Sequence, residues 1–368
     1  MPAAANSVNP AYQHRKSCKR QLLACLCLCL SSAISLGDEV GSLYTAYVAV
    51  PDQARETQNR FLGNALANVL VKLSGQRVLP EEATPESLGV RARSSLQSVT
   101  YQQLTIPIDD QNEFSELRMQ AQFDNSAANS ALVYLGLPRW PVDRPRFQLI
   151  MAIELDNERR LISSDDEFLA FIIADTARQR GLPLEVALES TDEEFDISWL
   201  QEIWGGFTDI ALAESQALDF DGVILVSASR RNGRWQTRWN MAAPEREWSW
   251  NIRDDDLHEA LAEGVNAAAD RVSASVSIDP TEQGIWLESV EIVNVSNNRD
   301  YLRCMAYLQG LNLVSQVRIL SAQGARMRFQ LELNAAPEFL HQSIARGAVL
   351  GLVGVSMGTD AKIYELSQ

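Results

Sequence analysis

The sequence predicts an α/β (α+β) protein made of successive small modules, in each of which helices pack on a β-sheet. Some segments have apolar residues at helical spacing, and others alternate apolar and polar residues as half-buried strands do. Segments of both kinds follow one another along the whole chain after residue 37. The 368 residues are 46% hydrophobic, a globular composition that supports several buried cores and excludes a disordered chain.

The first 37 residues have the layout of a secretory signal peptide. A basic cluster at residues 14–20 precedes an apolar run from Leu22 to Leu36. The run is shorter than the roughly 20 residues that cross a bilayer, and small residues at its end suit cleavage near Ser35 to Gly37. We therefore expect export to the periplasm, removal of the signal peptide 1–37 and no stable membrane span afterwards. The alternatives are retention of the run as an uncleaved anchor and a lipoprotein signal that would use Leu22 to Cys25, although only three apolar residues precede Cys25.

Removal of this leader changes the chemistry expected of the mature chain. Four of the five cysteines lie within it, so Cys304 alone remains and no intramolecular disulfide is expected. The whole chain has 32 basic and 48 acidic side chains, a net charge of −16, and loses basic residues with the leader. Because binding to phosphate backbones needs a basic footprint, we expect no nucleic-acid partner.

An N-terminal α/β module is predicted for residues 38–140. A strand rich in valine and tyrosine over 40–50 is followed by a helix over 52–74, which Gly75 ends. The module is completed by a helix over 85–97, strands over 99–108 and 116–123, and a helix from Asp124 or Asn125 to Tyr134. The proline-rich stretch from Gly136 to Pro145 then marks a domain boundary.

A central α/β domain with a tryptophan-rich hairpin is predicted for residues 145–280. It opens with a strand over 147–155. Ser164 to Glu167 has the pattern of a capping box and starts a helix over 168–180. The acidic run 254–256 starts the last long helix, because carboxylates are favourable at helix N-termini.

A C-terminal module over residues 284–368 has the βαββαβ order of a ferredoxin-like unit. Its predicted elements are strand 285–295, helix 299–309, strands 314–320 and 326–333, helix 337–346 and strand 362–366. In all three modules we expect the helices to lie on one face of a small sheet.

The candidate binding residues lie on the predicted hairpin, whose Asn232-Gly233 turn joins two strands. Arginines alternate there with tryptophans, a combination that can bind acidic glycans or nucleic acid. Alternation places the tryptophans on one face and the arginines on the other, which predicts a buried tryptophan face and solvent-exposed arginines. An open tryptophan face would instead favour docking of a glycan or a peptide. The candidate residues are Arg230, Arg231, Arg234, Arg238, Trp235 and Trp239.

The sequence indicates no catalytic, metal or cofactor site. Gly354 to Gly358 matches the G-x-S-x-G pattern, but no histidine follows it, so we interpret it as a tight turn or a close-packed segment. His258 and His341 lack metal-ligand spacing, and Cys304 suits a buried inert thiol. Three acidic clusters lack the alternating spacing of a calcium loop. These clusters are residues 165–167, 192–194 and 254–256.

Several short motifs occur in a set order along the chain. They are Tyr44 to Pro51, Val69 to Gly75, Leu137 to Trp140 with Arg144-Pro145, Arg180 to Leu184, and the Trp235/Trp239 hairpin. Over nearly the whole mature chain, their order resembles an uncharacterised bacterial family, the domain of unknown function two-zero-six-six. The resemblance implies a Gram-negative envelope protein with no assigned activity, and it carries over no catalytic residue.

These observations predict an exported periplasmic protein that serves as a non-catalytic binding or assembly module of the bacterial cell envelope. Its partner would be an envelope protein or a glycan, and we expect no cofactor. The alternative is an envelope hydrolase or a carbohydrate-active enzyme that uses carboxylates which the sequence does not single out.

Overall fold

Three β-sheets with helices packed against them make up the part of the chain that the structure describes. A computed structural model describes residues 43–108, 111–188, 193–244, 246–279, 283–347, 349–356 and 361–367. The predicted signal peptide, residues 1–37, lies outside these ranges. The mixed α+β class predicted from the sequence is confirmed.

The N-terminal sheet has three antiparallel strands in the order β1-β3-β2. Its elements are β1 (Thr45–Ala49), α1 (Arg55–Ser74), α2 (Pro85–Ser95), β2 (Leu96–Pro107), β3 (Glu113–Phe123) and α3 (Asn125–Tyr134). Helix α1 ends as predicted, because Gly75 adopts φ 71° and its N–H donates to the carbonyl of Val71. Asp124 caps α3 by accepting a hydrogen bond from the N–H of Ala127.

The central sheet is mixed and has the order β5-β4-β7-β8-β9, with β6 also paired to β4. Its strands are β4 (Phe147–Leu155), β5 (Glu158–Leu161), β6 (Leu184–Ala187), β7 (Gly222–Arg231), β8 (Arg234–Ala243) and β9 (Arg246–Asp254). Its helices are α4 (Glu167–Arg180), α5 (Glu193–Gly205), α6 (Asp209–Ala217) and α7 (Leu257–Val276). Strands β7 and β8 are joined by Asn232 and Gly233 at φ 52° and 82°, as the hairpin prediction requires.

Helices cover both faces of the central sheet, so the expectation of one-sided cover is wrong for this module. Helices α4 and α7 pack on the face that carries Leu149, Ile224 and Trp239. Helices α5 and α6 pack on the opposite face, against Ile150 and Val223. The reason lies in β4 and β7, which pair in parallel and are buried along most of their length, and such strands need cover on both sides.

The start of α4 is capped one residue earlier than predicted. A 3-10 turn, Ser164–Asp166, precedes the helix, and Ser163 forms the capping box in place of Ser164. The N–H of Ser163 donates to the carboxylate of Asp166 at 2.9 Å, and its hydroxyl accepts from the N–H of Asp165 at 3.2 Å. This acidic cluster therefore stabilises the beginning of a helix.

The C-terminal sheet contains the predicted βαββαβ order and one additional strand. Its elements are β10 (Gln283–Val293), α8 (Asn298–Gly310), β11 (Val314–Gln323), β12 (Arg326–Ala335), α9 (Pro337–Arg346), β13 (Leu350–Val355) and β14 (Lys362–Leu366). Their order is β11-β12-β10-β14-β13, and β14 runs parallel to β10.

The additional strand β13 corrects the interpretation of residues 354–358 as a tight turn or close-packed segment only for Gly354 and Val355, which are its last two residues, whereas Ser356 lies outside it. The glycines of this stretch suggested a turn, but the leucine and valine residues between them make β13 an extended partner of β14. Met357 and Gly358 of the motif lie outside the described residues.

The proline-rich stretch between the N-terminal and central modules is largely buried. We call residues 137–145 the connecting segment; it contacts the N-terminal, the central and the C-terminal module. The N–H of Trp140 donates to the carbonyl of Leu73 at the end of α1, at 2.8 Å. The backbone of Arg139 pairs in both directions with Ile278, which follows α7. The side chain of Asn312, just before β11, donates to the carbonyl of Trp140 at 2.9 Å.

The buried side chain of Arg144 connects this segment to the ends of α1 and α4 by donating hydrogen bonds to backbone carbonyls. Its guanidinium donates to the carbonyl of Lys72 at 2.8 Å and to that of Gly181 at 2.5 Å, which are the last turn of α1 and the end of α4. The same group lies 3.9 Å from the centre of the Trp140 ring. Arg144 therefore pairs with buried carbonyls at two helix ends at once.

Two further arginines join the N-terminal and central modules. Arg180, also buried, donates to the carbonyl of Gly75 at 2.9 Å and to the carboxylate of Asp270 at 2.6 Å. Arg118 on β3 forms a bidentate ion pair with Asp175 on α4. Its Nη1 and Nη2 atoms donate to Oδ1 and Oδ2 at 2.6 and 3.0 Å. The ends of α1 and α4 are thus held together by charged hydrogen bonds as well as by apolar packing.

Replacement of Arg144 should destabilise the whole fold. We expect Arg144→Ala to lower the free energy of unfolding by about 2–4 kcal/mol, because two buried carbonyls lose their charged donor. Arg144→Lys, which keeps the charge but loses the planar fork, should fall between this variant and wild type. Urea denaturation measures the loss.

Arg146→Ala is the matched control, since Arg146 is partly exposed and contacts Asp219 at the surface. Its substitution should change the free energy of unfolding by less than about 0.5 kcal/mol. An equal loss in both variants would show that Arg144 has no special role.

Candidate functional site

The tryptophan side of the β7–β8 hairpin is part of the central core. Trp239 is fully buried and stacks on Trp250 with the ring centres 5.7 Å apart. Gly264 of α7 lies directly against this indole, because a Cβ atom at that position would be 2.0 Å from its Cζ2 atom. Trp235 is half-buried and packs against the same core. Both tryptophans therefore face α7.

Two of the candidate arginines lie near the turn of the hairpin and are engaged locally. Arg234 pairs with Asp255 at 2.7 Å, and both side chains are exposed. Arg230 donates to the carbonyl of Gly233 at 3.2 Å. These contacts are solvent-screened and contribute little to stability.

Arg231 belongs to a second group, centred on one carboxylate. Glu154 at the end of β4 accepts from Arg231 at 2.7 Å and from Arg159 of β5 at 3.0 Å. The carboxylate is largely buried whereas both guanidinium groups are half-exposed. One negative charge thus holds two positive charges at the surface.

Aromatic side chains from the end of α5 adjoin this group. The guanidinium carbon of Arg159 lies 4.0 Å from the centre of the Trp204 ring. Arg238 points to the same place, with its guanidinium 3.5 Å from the carbonyl of Trp204. Phe207, which follows a Gly205-Gly206 break, is 65% exposed. We call this the arginine–aromatic surface; its residues are Glu154, Arg159, Arg231, Arg238, Trp204 and Phe207.

The structure thus divides the six candidate residues. It brings Arg231 and Arg238 together on the arginine–aromatic surface and places Trp235 and Trp239 on the opposite side of the sheet. The predicted separation of arginines from tryptophans is wrong for Arg230, because it pairs with Trp235 across the hairpin and so lies on the tryptophan side. Sequence reasoning missed Arg159 and the aromatic residues of α5. A usable signal was Trp204-Gly-Gly-Phe207, where two aromatic residues flank a helix-ending glycine pair.

A second polar group, in the C-terminal module, joins three elements. Nδ1 of His341 on α9 lies 2.7 Å from the hydroxyl of Tyr364 on β14, and Nε2 lies 3.4 Å from a carboxylate oxygen of Glu288 on β10. Burial, with a smaller effect of Lys362, lowers the pKa of His341 to about 4. Burial also raises the pKa of Tyr364 to about 12 and raises that of Glu288.

These pKa values make the imidazole neutral at pH 7. The Tyr364 hydroxyl then donates to Nδ1, so Nε2 carries the proton and faces Glu288. Because Tyr364 is buried, its hydroxyl is closed to a substrate. The group therefore acts as a fixed hydrogen-bond chain between α9 and the sheet. Sequence reasoning missed this group, since the three residues lie far apart in the chain.

Cys304 and Asp256, two of the remaining candidates, have structural roles in packing and in helix capping. Cys304 is fully buried, and burial raises the pKa of its thiol to about 11. Asp256 caps α7 by accepting from the N–H of His258 at 2.7 Å. Asp192 lies outside the described residues. Across the described ranges, no three His, Cys, Asp or Glu side chains are grouped as metal ligands would be, and no helix is both long and apolar enough to cross a membrane.

Comparison with known proteins gives one match. Residues 38–141 match the model of a family described as "Domain of unknown function (DUF8605)", and the match ends within the connecting segment. This range therefore resembles an uncharacterised family, although not the one that the order of motifs resembles. No curated protein and no solved structure matches the chain.

A methyl group at Gly264 should be strongly destabilising. Gly264→Ala forces α7 away from the Trp239 indole, and we expect a loss of about 2–4 kcal/mol in the free energy of unfolding. Gly89→Ala on α2 is the matched control, since its Cβ atom would meet only Arg93, at 3.6 Å. That variant should be neutral or more stable by up to about 1 kcal/mol. Thermal or urea unfolding of both variants distinguishes close packing at Gly264 from a general effect of glycine replacement.

The neutral His341 should make stability depend on pH. Its pKa is about 4 in the folded chain against an ordinary value of 6.5, so the unfolded chain binds more protons between these values. The free energy of unfolding should therefore fall as the pH is lowered from 6.5 to 4, by an amount on the order of 2 kcal/mol from this group. His341→Gln should flatten that part of the profile.

Gln342→Ala, at an exposed position of the same helix, is the control and should keep the wild-type pH profile. Urea denaturation at several pH values provides the measurement. A His341→Gln profile parallel to wild type between pH 4 and 6.5 would contradict the assignment.

Proposed function

We propose that this protein is an exported, periplasmic binding or assembly protein of the bacterial cell envelope, without catalytic activity, and that it contacts its partner through the arginine–aromatic surface. The observation that carries the proposal is the grouping of three arginines and two aromatic residues on one surface of an acidic chain. Arginine and aromatic side chains are the residue types enriched at protein interfaces.

The charge of this surface supports a partner that carries carboxylates. Arg159, Arg231 and Arg238 outnumber Glu154, the carboxylate that two of them share. The chain as a whole has a net charge of −16, so this local positive excess stands out from its surroundings. Guanidinium groups bind carboxylates through paired hydrogen bonds, and an acidic partner would be oriented by them.

Exposed aliphatic residues beside the surface favour a protein over a glycan. Ile197 on α5 and Ile210 on α6 are 55% and 51% exposed, and Leu218 directly after α6 is 58% exposed. These helices cover the sheet face from which Arg238 projects. A glycan uses aromatic rings and polar groups, whereas a protein interface also buries aliphatic side chains.

The location in the envelope rests on the sequence. Residues 1–37 have the signal-peptide layout, and the order of motifs resembles the envelope family two-zero-six-six. N-terminal sequencing of the exported protein should start near Ser35 to Gly37, and an intact Met1 would contradict cleavage.

Site-directed photo-crosslinking tests the binding surface. A photoreactive residue at Phe207, in the full chain exported by a Gram-negative host, should give one discrete adduct, because this side chain is 65% exposed and follows Trp204 of the surface by three residues. The same residue at Val90 on α2, which is 66% exposed, is the control and should give none. Arg231→Gln with Arg238→Gln should reduce the adduct at Phe207 at least about tenfold, because the carboxylate-binding groups are removed.

The nature of the adduct decides between partners. Digestion of the adduct by protease supports a protein partner, and digestion by glycosidases alone would assign the surface to a glycan. Equal adducts at Phe207 and Val90, or an adduct that survives the double substitution, would overturn the proposal. Melting curves show whether the substituted chain is still folded.

A further inference from the structure

The outer edge of the C-terminal sheet is an exposed strand. β13 pairs with β14 on one side, and among the described residues no strand pairs with its other side. Its outward backbone N–H and C=O groups are therefore open to an additional strand. The pairing with β14 shifts between Leu352 and Gly354, so Val353 is the extra residue of a bulge.

The side chains of β13 are apolar and uncovered. Leu352, Val353 and Val355 are 58%, 54% and 56% exposed. No charged residue and no proline occurs between Gly347 and Thr359. Charged residues and prolines usually protect an open edge of a natural sheet, and this run has neither. Its apolar edge therefore indicates a contact that covers it.

The opposite edge of the same sheet shows the usual protection. β11 carries Arg318 together with several serine and glutamine residues. The two edge strands of this sheet therefore differ in composition, because β11 contains a charged residue and several polar residues whereas β13 is mostly apolar. Of these two described edge strands, β13 is the one that combines an open backbone with an uncharged, mostly apolar sequence.

We propose that β13 pairs antiparallel with β13 of a second copy of this chain, so that two C-terminal sheets join into one continuous sheet. A two-fold axis brings identical edges together, satisfies the open backbone groups of both copies and closes the assembly at a dimer. Leu352, Val353 and Val355 of each copy then share one apolar contact.

Charge is the reason to choose a second copy as the occupant. Two chains that each carry a net charge of −16 repel one another across most of their surfaces. The run from Gly347 to Thr359 is free of charge, so contact through it brings no like charges of the run together. The same neutrality offers nothing that would select an acidic or a basic partner.

Sedimentation velocity of the full chain tests the proposal over concentrations of about 1–100 µM. We expect a monomer–dimer equilibrium that shifts towards dimer as salt is raised from about 0.05 to 0.5 M, because salt screens the repulsion between the copies. Val353→Lys should weaken self-association at least tenfold. Ile319→Lys, at a 46% exposed position of β11, is the matched control and should not.

Hydrogen exchange gives a second readout, because it reports on the backbone of β13 itself and also shows whether each variant is folded. The amides of residues 350–355 should become protected with rising concentration in wild type and in Ile319→Lys, but not in Val353→Lys. A chain that stays monomeric throughout, or a Val353→Lys variant that dimerises as wild type does, would overturn the proposal. Protection of β13 that appears only in periplasmic extract would also overturn it and assign the edge to an unlike partner.

Discussion

The rest of the structure depends on the burial of the connecting segment, with Arg144 as its main anchor. Proline has no backbone N–H, so side chains add to the backbone hydrogen bonds of Arg139 and Trp140 in fixing the position of this segment. Arg144 does this by donating to carbonyls at the ends of α1 and α4. Arg139 extends the connection to the third module by donating to the carbonyl of Asn312.

This arrangement concentrates positive charge at the junction of the modules. Lys72 is buried beside Arg144 and Arg178, and burial together with these two arginines lowers its pKa to about 7. Asp175, whose pKa is lowered by its hydrogen bond to Arg118 and by its charge contact with Arg178, offsets part of that charge. Buried charges of this kind are costly unless they are paired, so they specify one way of joining the modules more than they add stability.

Much of the fold could be predicted from local sequence signals. Gly75 and the Asn232-Gly233 turn need positive φ, and the structure has it at all three. The alternation in β8 correctly separated Trp239 from Arg238, because each side chain has a fixed face once the strand is placed. Signals of this kind need no knowledge of the tertiary structure.

The errors arose where tertiary pairing decides the outcome. The cover on both faces of the central sheet was missed, although the continuous apolar runs of β4 and β7 are typical of such sheets. Gly351 and Gly354 suggested a turn rather than a strand at β13, because this stretch is recognised as a strand only by its pairing with β14. The arginine–aromatic surface and the chain from Glu288 through His341 to Tyr364 each combine distant elements, and a single sequence does not show which elements meet.

The central claim is that the buried connecting segment makes the modules one cooperative unit, and the chain contains its own probes for a direct test. Urea unfolding can be followed by tryptophan fluorescence, which reports mainly on the central module because six of the eight tryptophans lie there, and at buried Cys304 of the C-terminal module by thiol labelling read out by mass spectrometry. The account predicts that both probes report the same midpoint. Labelling of Cys304 at a clearly lower urea concentration than the fluorescence change would contradict it, because the C-terminal module would then unfold on its own.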